Sequence, residues 1–70
     1  MSLRRDTVVQ LTRDTQLRRG VMIKRGTCGQ VLSKITLQRA CMVEFVVDRL
    51  TVIARVDDRD LVEVLPNARV

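Results

Sequence analysis

Histidine, tryptophan and tyrosine are absent from this chain, and Phe45 is its one aromatic residue. Without histidine there is no side chain whose ordinary pKa suits general-base work near neutral pH, which leaves six Asp, two Glu and two thiols as candidate catalytic groups. Tetrahedral zinc takes four Cys or His ligands, so Cys28 and Cys41 alone do not make a metal set. One aromatic residue also cannot supply the stacking platforms of single-strand and sequence-specific RNA binders, nor the aromatic groove that holds a polyproline helix. No apolar run approaches the ~20 residues that span a bilayer, and the opening "MSLRRD" lacks the apolar segment of a secretory signal. The expectation is a cytoplasmic protein that is not an enzyme, with no membrane contact, no cofactor, no metal and no small-molecule substrate.

What the chain does have is strand-forming residues and a divided charge. Val, Ile and Thr supply 21 of its 70 residues, which favours strands over helices. At this length one domain is expected over residues 1–70, close to the lower limit for a core without disulfides, metal or partner. Residues 1–39 carry nine Lys or Arg against Asp6 and Asp14, a net +7, whereas residues 40–70 carry four Arg against six acids, a net −2, giving the +5 of the whole. Such a bipolar field attracts nucleic acid or an acidic protein surface, and it favours head-to-tail association.

Along the chain, "TVVQL" (Thr7 to Leu11) alternates as a first strand. Residues 12–27 hold eight charges or glycines without a period and read as a long, partly structured loop; a short helix within 13–25 is the alternative. "TCGQVLSKI" (Thr27 to Ile35) resumes as a second strand, with Gly29, Val31, Ser33 and Ile35 on one side and Gln30, Leu32 and Lys34 on the other. "ACMVEFVV" and "LTVIARV" then flank Asp48-Arg49 as a two-residue hairpin loop. Pairing Val47 with Leu50 sets Phe45 opposite Val52, Val43 opposite Ala54 and Cys41 opposite Val56, an inward face of apolar residues and one thiol. Asp-Arg is not favoured chemistry for a primed turn, so a loop one or two residues longer is also admitted. "DDRD" (Asp57 to Asp60) reads as a turn or a single 3₁₀ turn, and "LVEVL" as a fifth strand stopped by Pro66 and Asn67. The fold expected is all-β: a small five-stranded SH3-like barrel over about residues 7–65 with a long loop between strands one and two and short tails. A five-stranded sheet beside one short helix is the runner-up.

The phrases Val9-Gln10-Leu11, "IKRGTCGQV", "VEF" and "DLVEV" together resemble small one-domain bacterial proteins with an SH3-like barrel, among them small accessory subunits of photosystem and nitrile-hydratase assemblies. The resemblance spans roughly residues 7 to 65. Related phrases occur in the KOW modules of ribosomal and transcription-factor proteins, which bind RNA. What the resemblance implies is a barrel architecture and a habit of binding, with no catalytic residues.

Two candidate surfaces follow from the residues. The same hairpin register pairs Met42 with Arg55, Glu44 with Ile53 and Val46 with Thr51, so the outward face carries Met42, Val46 and Ile53 beside Arg55, with Leu32 nearby; exposed clusters of this kind mark protein interfaces. Arg18, Arg19, Lys24 and Arg25 sit on the long loop as contacts for an anionic partner or nucleic acid, and Arg13, Lys34 and Arg39 are expected to extend that basic side. A glycine-led phosphate loop is not expected, because Gly26 and Gly29 lead into a strand, where the first supplies a positive-φ turn and the second a close approach or bulge. Cys28 and Cys41 are placed too far apart along the strands for a disulfide, with Cys41 in the core. The function expected is a non-catalytic binding module or accessory subunit that joins a protein partner or its own copies; the alternative is a KOW-like protein that binds nucleic acid through its backbone.

Overall fold

A computed structural model describes residues 3–17 and 20–64. The fold is all-β. Five strands form one antiparallel sheet in the order β6-β5-β4-β1-β7: β1 (Val8–Leu11), β4 (Cys28–Ile35), β5 (Ala40–Val47), β6 (Leu50–Asp57) and β7 (Leu61–Glu63). The sheet is open, with β6 and β7 at its two edges. Between β1 and β4 the chain forms a second, two-stranded sheet from β2 (Thr15–Gln16) and β3 (Met22–Ile23). The long loop expected over residues 12–27 is partly structured by this small hairpin, and the alternative of a short helix within 13–25 is not what forms in its described residues. Strands of two residues carry no period to read, and what holds this hairpin is Ile23, buried in the main core, with Leu17 packed partly against it. Among the described residues no helix is long and apolar enough to cross a membrane.

The β5–β6 hairpin has the expected register throughout, from Val47 opposite Leu50 to Cys41 opposite Val56. Asp48 and Arg49 both take positive φ, 51° and 69°, the geometry of a two-residue primed turn, whose twist matches that of the flanking strands. Tertiary pairing over eight-residue strands therefore overrides the poor turn chemistry, and the longer loop is not needed. The inward face gathers Val9, Leu11, Val31, Cys41, Val43, Phe45, Ala54, Val56 and Leu61, with Leu3 from the N-terminal segment closing over them. One expected core position departs: Leu50 lies at the tip of the hairpin, beyond the reach of the core, and is 68% exposed.

Gly29 faces Phe45 across β4–β5, and a Cβ there would come within 2.7 Å of the Phe45 ring and 2.8 Å of the Glu44 carbonyl oxygen. The close approach admits glycine alone. Gly26 has φ +92° in the turn entering β4, where the Thr27 N–H donates to the Lys24 carbonyl at 3.1 Å. The irregularity in β4 falls later, between Val31 and Ser33, where Val31 faces Val43 but Ser33 faces Met42. Leu32 is the extra residue of this bulge. Past it the expected facing of β4 reverses, and Lys34 stands opposite Cys41 instead of pointing outward.

A candidate binding surface on the outer face and free edge of the sheet

Two cross-strand rows define the outer face. Ile53 of β6 is opposite Glu44 of β5, which is opposite Gln30 of β4, which is opposite Val8 of β1; the Val64 N–H then donates to the Val8 carbonyl at 2.9 Å. In the next row Thr51 is opposite Val46, and further across Cys28, Gln10 and Val62 follow one another. Val46 is 66% and Ile53 55% exposed, and Val8 and Val62 are also exposed. A solvated antiparallel sheet ordinarily alternates apolar inside with polar outside. Here valine and isoleucine recur on the outside too.

Of the residues expected at an interface, Met42, Ile53 and Arg55 line one groove of about 740 Å³ together with Val52 and Ala54, so that it runs along the edge of β6; its other wall is Gln16, Leu17 and Val21 of the β2–β3 hairpin. Val46 lines a neighbouring depression with Val8, Cys28, Gln30 and Glu44. Met42 is half-buried, and the Arg55 guanidinium donates to Gln38 Oε1 at 3.2 Å and lies 3.6 Å from Asp57. Leu37, at the crest of the 3₁₀ turn Thr36–Gln38, is 99% exposed. A lone Leu between a Thr and a Gln gives no sequence signal of that kind.

The basic side is less continuous than its sequence suggests. Arg18 and Arg19 lie outside the described residues. Lys24 and Arg25 are exposed at the turn before β4, where the Arg25 backbone N–H donates to Asp14 Oδ1 at 2.7 Å. Lys34, turned inward by the bulge, pairs its ammonium with Asp58, and Arg13 approaches Asp60 at 4.0 Å. Two of the cations expected to extend a basic stripe are thus turned toward the acidic 3₁₀ turn Asp58–Asp60.

That turn also receives the buried thiol. Cys41 Sγ donates to Asp58 Oδ1 at 3.3 Å, and the Asp58 backbone N–H donates to the Arg39 carbonyl at 2.9 Å. Burial raises the Cys41 pKa above the ordinary thiol value, with the nearby Lys34 charge pulling the other way. Cys41 is therefore a protonated hydrogen-bond donor that anchors the turn, not a thiolate nucleophile. Sequence reasoning missed this Lys34–Asp58–Cys41 cluster, because "DDRD" reads only as a turn, with no partner named for its acids, and nothing near Leu32 announces a bulge. Cys28 is exposed on the outer face, and the two cysteines are free. Among the described residues no group of three or more Cys, Asp or Glu side chains is placed to hold a metal ion.

Comparison with protein-family models, with curated proteins and with solved structures found no match to this chain. Its class is set by the fold: a small all-β domain with an open five-stranded sheet and apolar residues on both faces.

Proposed function

We propose that this chain is a non-catalytic binding module of SH3-like architecture that joins protein chains through the outer face of its sheet. The element order supports the architecture: strand, small hairpin, strand, short turn, strand, two-residue hairpin, strand, 3₁₀ turn, strand, ordered β6-β5-β4-β1-β7. The observation that carries the function is the exposure of Val46 and Ile53 beside Met42 and Arg55 on a domain with a thin core. Covering a large apolar side chain recovers ~1.5–3 kcal/mol, a sizeable share of the stability of a chain this short. A cytoplasmic setting suits the two free thiols.

The KOW-like reading rests on the +7 of residues 1–39 and has less support, since Lys34 and Arg13 face acidic partners. The two readings separate by salt. Phosphate-backbone binding weakens steeply as salt rises, whereas an apolar contact persists. A tagged chain at moderate salt is expected to retain its protein partner or a second copy, and Val46→Lys with Ile53→Lys is expected to abolish retention while the circular dichroism of the strands is unchanged. Retention unaffected by the double lysine variant refutes the surface. Micromolar affinity for duplex of any sequence at physiological salt, lost when Arg18, Arg19, Lys24 and Arg25 are changed to Gln, replaces this reading with the nucleic-acid one.

A further inference from the structure

β6 ends the main sheet, and among the described residues its outer edge pairs with no strand. The primed turn at Asp48-Arg49 makes Val47 and Leu50 a mutually hydrogen-bonded pair, so antiparallel alternation directs the backbone groups of Leu50, Val52, Ala54 and Val56 toward β5. Those of Thr51, Ile53, Arg55 and Asp57 point to the free edge. Natural sheets blunt such edges with proline, bulges, very short strands or a central charge. β6 is eight residues long and regular, contains no proline, and has Val52, Ile53 and Ala54 at its centre; the β2–β3 hairpin stands across the groove beside it without forming a ladder, so its backbone groups remain open to a further strand.

We propose that this edge is completed by β6 of a second copy, antiparallel and two-fold about Ile53, making one continuous ten-stranded sheet. The proposal rests on the binding-surface reading above and names its partner. Side chains stay on their own face only in alternate registers, and charge selects among these. With Ile53 opposite its own symmetry mate, Thr51 faces Arg55, Val52 faces Ala54, Leu50 faces Val56, and Arg49 meets Asp57 at both ends. Shifting by one allowed step sets Arg49 against Arg55; the opposite step sets Leu50 against Asp58. Arg49 makes no ion pair among the described residues, and Asp57 is 40% exposed with Arg55 and Arg59 only at 3.6 and 3.8 Å. The pairing also brings an apolar neighbour to Leu50 at the hairpin tip, which the isolated domain leaves in water. Nine paired residues, Arg49 to Asp57, extend ~31 Å at ~3.4 Å each. A single strand pair is a small contact beside the ~1,200 Å² at which specific interfaces begin, so concentration must be varied widely to read it.

Sedimentation equilibrium from micromolar to hundreds of micromolar at moderate salt tests the pairing. The wild-type chain is expected to pass from its 8.0 kDa monomer to a dimer. Arg49→Asp sets two acids together at each end and Asp57→Arg two cations, and each alone is expected to weaken dimerisation at least tenfold. An equimolar mixture of the two variants restores an opposite pair at both ends, and a heterodimer near wild-type affinity is expected. Should Asp57→Arg fail to fold, Asp57→Asn removes one charge of the pair and is still expected to weaken the dimer. A wild-type chain that stays monomeric overturns the proposal, as does a mixture of folded variants that stays monomeric. A dimer lost in Val46→Lys yet indifferent to both charge reversals overturns the β6 register and leaves the outer-face reading standing.

Discussion

Phe45→Ala is the substitution to which the domain is expected to be most sensitive. The ring is fully buried on β5, opposite Gly29 on one side and Val52 on the other. Truncating a buried Phe costs ~3–5 kcal/mol, against a total of roughly 4–10 kcal/mol for 70 residues at ~0.05–0.15 kcal/mol each. At ~4–8 °C per kcal/mol in a domain of this size, melting should fall by tens of degrees. The Gly29 contact adds a second handle. Gly29→Ala drives a Cβ to 2.7 Å from both Phe45 Cδ1 and Val43 Cγ1 and to 2.8 Å from a backbone oxygen that cannot move aside, an overpacking of ~1–3 kcal/mol. Removing the ring relieves one of those three contacts, so the double variant should lose less stability than the sum of the singles, by ~0.5 kcal/mol or more. Urea unfolding followed by far-ultraviolet circular dichroism reads the cycle, with Phe45→Leu in place of Phe45→Ala if the latter does not fold. A Phe45→Ala chain melting within ~4 °C of wild type refutes the inward facing of β5, and strict additivity refutes the Gly29 contact.

The two thiols should behave oppositely. Cys28, exposed, is expected to react with a thiol reagent in the native state, and Cys41 only on unfolding, as read by mass spectrometry after a timed pulse. Because burial raises the Cys41 pKa in the folded state, its contribution to stability is complete below the ordinary thiol value of 9.0 and is lost as pH rises from there through the folded value. Melting temperature should therefore decline above that pH in wild type and decline less in Cys41→Val; equal declines refute the assignment.

The parts of the fold that were legible from the residues are those where period two runs long. The register of β5 with β6 followed from alternation across eight residues before Asp48-Arg49 and seven after it, and it placed Phe45 in the core and Met42, Val46, Ile53 and Arg55 on the outside. Beyond Val31 the same alternation failed, because the bulge at Leu32 inserts a residue of ordinary strand character and so reverses Lys34 without any glycine or proline to mark it. The β2–β3 hairpin was hidden for a related reason, since two-residue strands are stabilised by the tertiary burial of Ile23 more than by local preference. Parity puts Leu50 on the inward face, but parity fixes the side of a sheet and not whether anything lies over it. Charge read along the chain likewise could not foresee that Lys34 and Arg13 turn toward the acidic 3₁₀ turn.

That this chain associates with its own copies, as proposed through the free edge of β6, is tested most directly by amide hydrogen exchange along that strand as concentration rises. Val52, Ala54 and Val56 donate to β5 and should be protected at every concentration, whereas Thr51, Ile53 and Arg55 should exchange freely in the dilute chain and gain protection together as copies pair. Thr51, Ile53 and Arg55 exchanging at the rate of open amides at every concentration, in a chain that is otherwise protected, contradicts it.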